Sequence, residues 1–438
     1  MWPLALPTPL LASGPPAVQW TQIIGQGGGI DDGRSVQQTA DGGYIIVGQT
    51  NYQVVGTAVW LIKTDASGIK VWSKTFDGPN LDAGYSVQQT TDGGYIIAGL
   101  TWSTTFGNTG PYVYLIKADA SGNMVWQKAF GSFAEGYSVQ QTTDGGYIIA
   151  GNTQSSGAGS YDVYLIKADA SGNMVWSKTF GGANADFGYS VNQTADGGYI
   201  IAGTTSSFGA GNYDVYLVKT DASGNLTWSQ TFGGANYDVA SSVRQTADGG
   251  YIIGGTTSSF GAGGYDVYLI KTNASGNLTW SQTFGGVNAD AGASVQPTTG
   301  GGYIIAGTTQ SSSSPGSSDV YLVKTNASGN LTWSKTVDNL YYDGSYHSLP
   351  DYGYSVQQTA DGGYIIAGST PPFTNQNPDV YLIKVAADQQ APTVTTDNAT
   401  NITSNSAMLY GTMTSLGTAT SANVSFDWGL SSGNYTGT

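Results

Sequence analysis

A Gly-Gly-Tyr-Ile-Ile run occurs seven times along this chain of 438 residues. The copies begin at Gly42, Gly93, Gly145, Gly197, Gly249, Gly301 and Gly362. A constant period of about 50 residues is the signature of a repeat architecture, in which each copy forms one structural unit. The repeat therefore constrains the fold more than any other feature of this sequence.

Each copy contains four short runs with the composition of β-strands. In the fourth copy these runs are 189–194, 198–203, 214–219 and 225–232. Val, Ile, Tyr, Trp and Thr dominate the runs, whereas Gly, Asp, Asn and Ser separate them, as in strands joined by turns. The Asp-Gly pair after the first run is typical of a tight hairpin. The sequence predicts an all-β fold, a seven-bladed β-propeller of four-stranded antiparallel blades.

The two ends of the repeat array predict how the ring closes. The last copy ends its third run at Lys384 and lacks a tryptophan-containing fourth run, whereas residues 18–25 match the fourth run of the other copies. We expect this N-terminal strand, with Trp20, to complete the last blade and remove an open sheet edge. The expected domains are a leader or signal remnant over 1–16, the propeller over 17–390 and a further β segment over 391–438.

The composition excludes several classes of function. The chain has no cysteine, a formal net charge of −15 and two arginines, Arg34 and Arg244. It therefore lacks thiol chemistry and the clustered cations of a nucleic-acid partner, and no stretch is apolar enough to be a transmembrane segment. A lysine closes the third run of every copy, and we expect it to pair with the aspartate that follows in the first four copies, such as Asp221 after Lys219.

The repeat pattern also resembles a known family. Tyr-Ser-Val-Gln-Gln-Thr-x-Asp-Gly-Gly-Tyr-Ile-Ile-Ala-Gly, then Asp-Val-Tyr-Leu-Ile-Lys, then Gly-Asn-x-x-Trp-Ser-Lys-Thr-Phe-Gly-Gly, resembles the propeller repeats of bacterial and archaeal secreted and cell-surface proteins. The tail after Pro392 resembles a truncated fibronectin-III-like module. The resemblance implies an extracellular binding or structural module. Asn-x-Ser/Thr sequons are candidate glycosylation sites, at Asn225, Asn277, Asn330, Asn398 and Asn401.

Acidic residues recur near the start of the first run, on the face that carries the longer connections. They are Asp31, Asp82, Glu135, Asp186, Asp238, Asp290 and Asp351, with Glu135 displaced by one position. One interpretation is that each carboxylate caps its own loop by accepting backbone N–H bonds. The other is an acidic mouth that holds a hard cation, Ca²⁺, through oxygen ligands.

Two segments depart from the repeat and are rich in aromatic residues. Residues 338–352 lengthen one connection and contain Tyr341, Tyr342, Tyr346, His347 and Tyr352. In the second copy, Trp102 and Phe106 lie in a long connection. These side chains are candidates for stacking on sugar rings or contacting a protein, since tyrosine has a rigid face and a polar tip. The alternative is a pair of loops that only pack on their neighbours.

One position of the first run predicts the lining of the central channel. It carries six amides and one cation, at Gln37, Gln88, Gln140, Asn192, Arg244, Gln296 and Gln357. A slip of one residue would turn these side chains to the opposite face of the strand. Their position is therefore a direct test of the assigned register.

A catalytic role has less support in the sequence than a binding role. Residues 221–228 are similar to the Asp-box turn of sialidases, but two arginines cannot supply the arginine triad of those enzymes. A glycosidase pair of carboxylates would have to use the single glutamate, Glu135, or the repeated aspartates. The expected function is a secreted or cell-surface binding or adhesion module for a glycan or a surface protein. Two alternatives remain: a structural subunit of a surface layer or filament that self-associates through its tail, and a carbohydrate-active enzyme.

Overall fold

The repeats fold into seven four-stranded antiparallel sheets, which are the seven blades of a β-propeller. The computed structural model describes residues 14–26, 29–51, 56–76, 80–103, 105–106, 110–311, 317–342, 346–371, 377–388, 393–400, 408–415, 428–431 and 434–437. Side chains of 340–348 and of residues beyond 388 are not described. Strands are numbered in chain order, and blades follow the order of their innermost strands.

Each blade has one strand at each of four positions between the channel and the outer surface. The innermost strands are β2 (Asp31–Gln38), β6 (Asp82–Gln89), β10 (Ala134–Gln141), β14 (Asp186–Gln193), β18 (Asp238–Gln245), β22 (Asp290–Pro297) and β28 (Tyr352–Gln358). The second strands are β3 (Tyr44–Thr50), β7 (Tyr95–Thr101), β11 (Tyr147–Thr153), β15 (Tyr199–Thr205), β19 (Tyr251–Thr257), β23 (Tyr303–Thr309) and β29 (Tyr364–Thr370).

The third strands are β4 (Ala58–Thr64), β8 (Tyr112–Ala118), β12 (Asp162–Ala168), β16 (Asp214–Thr220), β20 (Asp266–Thr272), β24 (Asp319–Thr325) and β30 (Asp379–Val385). The outer strands are β5 (Lys70–Phe76), β9 (Met124–Phe130), β13 (Met174–Phe180), β17 (Leu226–Phe232), β21 (Leu278–Phe284), β25 (Leu331–Val337) and, in the seventh blade, β1 (Val18–Ile24). A short hairpin, β26 (Leu340–Tyr342) and β27 (Tyr346–Ser348), precedes β28.

The N-terminal strand closes the ring, as the sequence predicts. Strand β1 pairs antiparallel with β30, from Val18 opposite Val385 to Ile24 opposite Val380. Across the same junction, the backbone N–H of Val36 in the first blade donates to Ser355 Oγ in the seventh, at 3.2 Å. The first and last blades are therefore joined like any other neighbours.

The hydrophobic core lies between neighbouring blades. Ile149 belongs to the apolar cluster shared by the second and third blades, whereas the adjacent Ile148 belongs to the cluster shared by the third and fourth. Successive side chains of a strand point to opposite faces, and both faces of each blade are covered. The second and third strands can therefore be continuous apolar runs, because neither face meets water.

The outer tryptophans are half-buried, with the exception of the buried Trp333. Trp20 packs edge-on against Tyr44 of the first blade, with ring centroids 5.9 Å apart. A Cβ added at Gly68 would lie 2.5 Å from Trp20 Cζ3, and Gly68 has φ of +78°. Only glycine can therefore form this turn against the indole ring.

The prediction for the strand-three lysines is wrong about their partner. Lys219 Nζ lies 2.8 Å from Asp196, in the hairpin turn between the first two strands, and also donates to Thr220 O. Asp221 instead accepts hydrogen bonds from the backbone N–H groups of Ser223 and Asn225, which belong to its own turn. Lysine points back along the blade because the hairpin turn and the end of the third strand lie side by side, an adjacency that chain order does not show.

The same ion pair changes the titration of the turn aspartates. Hydrogen bonds from Lys271 and Thr246, in that order, lower the pKa of Asp248 to about 2 although burial opposes them. The lysine ammonium groups are buried, whereas their aspartates remain largely exposed. This pattern repeats in six blades; in the sixth blade Gly300 occupies the aspartate position.

A second compact unit comprises residues 1–17 and 386–438, separate from the propeller over Val18–Val385. Its described strands form two hairpins, β31 (Thr393–Thr400) with β32 (Met408–Ser415), and β33 (Trp428–Ser431) with β34 (Asn434–Gly437). The fibronectin-III-like character of this tail stays a prediction.

Candidate functional site

A ring of seven side chains surrounds the channel mouth on the face of the longer connections. In every blade the pairing of the first two strands shifts between a glycine or alanine and the serine two residues later on the innermost strand, so that the residue between them is bulged. These bulged residues, hereafter the crown, are Arg34, Tyr85, Tyr137, Tyr189, Ser241, Ala293 and Tyr354.

Five crown residues form a continuous arc. The Arg34 guanidinium lies 5.1 Å from the ring of Tyr354 and 5.8 Å from that of Tyr85. Ring centroids of Tyr85 and Tyr137 are 5.2 Å apart, and those of Tyr137 and Tyr189 are 5.3 Å apart. Each contact of this kind contributes about 0.5–1.5 kcal/mol to stability. The arc is therefore a preorganised aromatic rim.

Two acids hold the arc in place. Arg34 donates to Asp32 Oδ2 at 2.7 Å, and Tyr137 donates its hydroxyl to Glu135. Burial lowers the pKa of Arg34, but the charge and hydrogen bond of Asp32, together with the nearby Tyr354 and Tyr85, outweigh burial and keep the pKa above its ordinary value. Burial, followed by the charge of Glu135, raises the pKa of Tyr85 to about 12. The tyrosine hydroxyls of the arc therefore remain neutral at physiological pH.

The crown is interrupted in the fifth and sixth blades, where the side chains are small. There the structure has a cleft of about 410 Å³, hereafter the notch, lined by Ser241 and Ala293. Its volume falls within the range of small-molecule sites, about 300–1,000 Å³. The gap between tyrosines thus forms one asymmetric cleft on a nearly sevenfold scaffold.

The notch has aromatic walls and neutral polar groups. Tyr352 and Tyr354 form one wall, stacked with centroids 6.3 Å apart, and Tyr265 also belongs to the lining, with 44% of its surface exposed. Gln310 donates to Ser318 Oγ at 3.3 Å within the same lining. No charged side chain lines the notch in the described part of the chain. The arrangement can stack a flat or ring-shaped ligand and hydrogen-bond to its edge.

The structure places the predicted ligand residues in different environments. Tyr352 lines the notch. Tyr341, Tyr342, Tyr346 and His347 lie on the β26–β27 hairpin, but their side chains are outside the described part. Trp102 is 47% exposed and is not part of the notch, and Phe106 packs on Tyr114 with centroids 6.1 Å apart. The packing interpretation therefore applies to Phe106.

The recurring aspartates at the strand starts are buried, and their contacts favour the capping interpretation. Asp186 Oδ2 accepts the N–H of Gly182 at 2.8 Å, and the same bond recurs at Asp31, Asp238, Asp290 and Asp351. Asp82 is buried at the equivalent place. In the described residues, no group of three acidic or histidine side chains could hold a metal ion. Calcium binding stays a prediction.

Glu135 does not belong to this set of acids. It pairs with Asn152 on the second strand, as Asp32 pairs with Gln49, whereas the aspartates occupy the preceding position. Ala134 stands where the other blades have aspartate. The glutamate carboxylate consequently reaches the crown instead of the blade junction.

Two carboxylates at blade junctions, the buried Asp351 and the half-buried Asp379, have strongly raised pKa values. Burial, with the nearby charges of Asp338 and Asp319, raises the pKa of Asp351 to about 7. Burial and then the charge of Asp31 raise the pKa of Asp379 to about 6. Both carboxyl groups are thus protonated over part of the neutral and acidic range.

The candidate glycosylation sites differ in what the structure describes. Asn225, Asn277 and Asn330 lie in exposed turns before the outer strands. The Asn225 amide donates to Asp221 at 2.9 Å. Asn398 lies on β31, where side chains are not described, and Asn401 lies outside the described residues.

The channel lining confirms the predicted register. All seven predicted side chains, from Gln37 to Gln357 and including Arg244, line a cavity of about 280 Å³ along the axis. Serines two residues earlier on the innermost strands, among them Ser35 and Ser138, line the same cavity. The described lining of the channel is therefore mainly polar, with valines such as Val36 and Val139 beside the serines and amides.

Comparisons with known proteins support the fold and no more. No family model and no curated protein matches the chain. Among solved structures, it is similar to the WD40 domain of Pan2 from Neurospora crassa, with 11% identity over 82% of this chain and 91% of that one, and a TM-score of 0.50. It also resembles the polysaccharide lyase Uly1, with 12% identity, 82% and 90% coverage and a TM-score of 0.49.

A third similar structure is the propeller domain of the Trilobed protease from Pyrococcus furiosus, described as having an open velcro topology. Identity is 9%, coverage is 81% of this chain and 93% of that one, and the TM-score is 0.44. Among the residues that the structure describes, no helix is long and apolar enough to cross a membrane.

The crown is the feature that reasoning from the sequence missed. Its signal is present in the repeat alignment, where one position carries tyrosine in four copies and Arg34, Ser241 or Ala293 in the others. Attention to insertions alone does not find it, because the notch arises from two small residues at an otherwise aromatic position.

Proposed function

We propose that this propeller is a non-catalytic binding module for neutral carbohydrate, with the notch as its binding site. The observation that carries the proposal is the interruption of the tyrosine crown at Ser241 and Ala293. Seven equivalent positions cannot by themselves create one unique site, whereas the loss of two adjacent aromatic side chains can.

The chemistry of the lining favours a sugar over other ligands. Exposed tyrosine faces pack against the apolar faces of sugar rings, and hydroxyl and amide groups such as those of Ser318 and Gln310 bond to sugar hydroxyls. A charged ligand would find no counter-charge in the described lining of the notch. A glycosidase would need two carboxylates across the bond, and the described lining contains none.

Secretion or display on a cell surface belongs to the same proposal. It is supported by the sequons at exposed turns, such as Asn225 and Asn277. A glycan attached at these turns would lie on the face opposite to the notch and would leave the binding site open. Peptide mass mapping of the protein isolated from its source tests this part, and unmodified asparagines at all sequons would remove the support.

Filling the notch is the decisive test. A screen on an array of neutral oligosaccharides identifies a ligand, and calorimetry then measures its affinity. Ala293→Tyr restores the side chain that four blades carry at this position, so we expect it to abolish binding while the protein stays folded. Val71→Tyr is the matched control, because Val71 is 61% exposed on an outer strand far from the mouth.

A second pair of variants separates the notch from the rest of the crown. Tyr354→Ala removes one wall of the notch, and we expect it to weaken binding by about tenfold or more, as truncation of a central aromatic contact does. Tyr85→Ala removes a crown tyrosine outside the notch and should leave affinity unchanged. Binding that survives Ala293→Tyr but is lost on replacing Tyr341, Tyr342 and Tyr346 by Ala would place the site on the hairpin instead.

A further inference from the structure

Four of the channel glutamines are oriented by hydrogen bonds between blades. The backbone N–H of Gln89 donates to Gln37 Oε1 at 2.6 Å, and that of Gln141 donates to Gln88 Oε1 at 2.6 Å. The same bond recurs at Gln140 and Gln357. A backbone N–H can only donate, so the atom that faces it must be the amide oxygen. The NH₂ group of each of these glutamines is then left to face the channel.

The serines that line the channel follow the same rule. Ser35 Oγ accepts the N–H of Val87 at 3.3 Å, and Ser86 Oγ accepts that of Val139 at 3.2 Å. Each hydroxyl oxygen thus accepts one hydrogen bond from the next blade, while its hydrogen remains available to donate. At these glutamines and serines the wall of the channel therefore offers donors, while their oxygens accept the bonds that join the blades.

Arg244 interrupts this pattern, and Pro297 explains how the fold tolerates it. Arginine has no acceptor atom, so it cannot receive the N–H that the next blade normally donates at this level. In the next blade that residue is Pro297, which has no N–H to donate. The guanidinium is therefore released from the junction between blades and lies in the channel lining.

The charge of Arg244 has no compensating acid in the described structure. Its hydrogen bond in the described residues is from Nη1 to Val243 O, at 2.8 Å, which leaves the other donors of the guanidinium unused. No carboxylate belongs to the described lining of the channel. Burial lowers the pKa of Arg244, and no neighbouring charge opposes that effect. A half-buried cation beside hydrogen-bond donors is an arrangement that binds anions.

We propose that the channel binds a small oxyanion, a sulfate, phosphate or carboxylate group, at Arg244. The guanidinium would bind two oxygens of the anion at once, and the NH₂ groups of the channel glutamines would bond to the remaining oxygens. This site is distinct from the notch, which lies at the mouth and has an uncharged described lining. The oxyanion is either a free ion or the acidic group of a larger molecule that enters the channel.

Sulfate is the probe for the free ion, and glucuronate is the probe for the acidic group of a larger molecule. Calorimetry on the full chain in low-chloride buffer measures both affinities. We expect Arg244→Gln, which makes the channel ring entirely amide, to weaken sulfate binding by about tenfold to a hundredfold, the effect of losing a charged hydrogen-bond partner. Arg244→Lys keeps the charge and should retain part of the affinity. Arg34→Gln removes the other arginine and should leave it unchanged.

A crystal soaked in selenate provides a readout of position that does not depend on any variant. We expect its anomalous signal in the channel beside Arg244. Selenate found elsewhere, or equal sulfate affinity of the wild type and Arg244→Gln, would overturn the proposal. The Ala293→Tyr protein separates this site from the sugar site, since it should lose the sugar and keep the sulfate. Tighter binding of glucuronate than of sulfate would identify the acidic group of a larger molecule as the ligand.

Discussion

Removal of strand β1 should cost this protein a large part of its stability. The strand forms six residue pairs with β30, which correspond to about six backbone hydrogen bonds at about 0.5–1.5 kcal/mol net each. Trp20 is half-buried, so its packing contributes roughly half of the 3–5 kcal/mol of a fully buried tryptophan, about 2 kcal/mol. The sum, on the order of 5–10 kcal/mol, approaches the whole stability of a typical domain.

Thermal melts followed by far-UV circular dichroism test this estimate on a protein that lacks residues 1–25. We expect it to melt far below the full chain or to aggregate through the exposed edge of β30. Trp20→Ala and Trp176→Ala form a matched pair, because both indoles lie 5.9 Å from a tyrosine of the next blade. Each should lower the free energy of unfolding by about 2 kcal/mol.

The comparison separates the packing of a tryptophan from the pairing of the strand. If ring closure depends on the pairing, the deletion must cost at least twice as much as either substitution. A truncated protein that melts with the full chain would refute the reasoning, and so would a deletion no worse than Trp20→Ala.

Two further predictions concern electrostatics. Gly300→Asp should stabilise the protein by about 1 kcal/mol in urea unfolding, since it places a carboxylate near the buried Lys324 as in the other blades, and a Cβ at Gly300 meets no atom within 4 Å. Gly301→Ala is the control and should destabilise the protein, because Gly301 has a φ of +81°. A change of the same sign in both variants would contradict the argument. Asp351 has a pKa raised from 3.8 to about 7. Its contribution to stability is therefore present below about pH 4 and is lost as the pH rises through about 7. Asp248 has a pKa lowered to about 2, so its contribution to stability is lost as the pH falls towards 2. Melting temperatures should therefore be highest near pH 4–5 and fall towards pH 8. Asp351→Asn should make that fall smaller. A wild-type melting temperature that rises from pH 5 to 8 would show that Asp351 is ionised in the folded state.

Local sequence is sufficient for the features that depend on neighbouring residues in the chain. Strand composition and Asp-Gly turns predict four strands in each copy, and seven copies predict seven blades. The alternating faces of the inner strand also predict which residue reaches the channel, and Arg244 lies there. The outer-strand tryptophans also predict ring closure by β1. The last copy lacks a tryptophan-containing fourth strand, and the N-terminal segment has the pattern of that missing strand.

Contacts between elements distant in the chain required the tertiary structure. The partner of Lys219 is Asp196 and not Asp221, because two turns that are separated along the chain lie side by side in the blade. The release of Arg244 depends on Pro297, one blade further on, and neither residue by itself indicates the other.

The sequence by itself determined the architecture, because hydrophobic alternation, turn residues and repeat period act over a few residues and are copied seven times. The tertiary structure decided where the sevenfold symmetry fails. Ser241 and Ala293 are unremarkable residues in a chain rich in serine and alanine, and they form a notch only because the ring places them next to each other between Tyr189 and Tyr354. A cleft is defined by the side chains that surround a gap, and in this fold those side chains come from different blades.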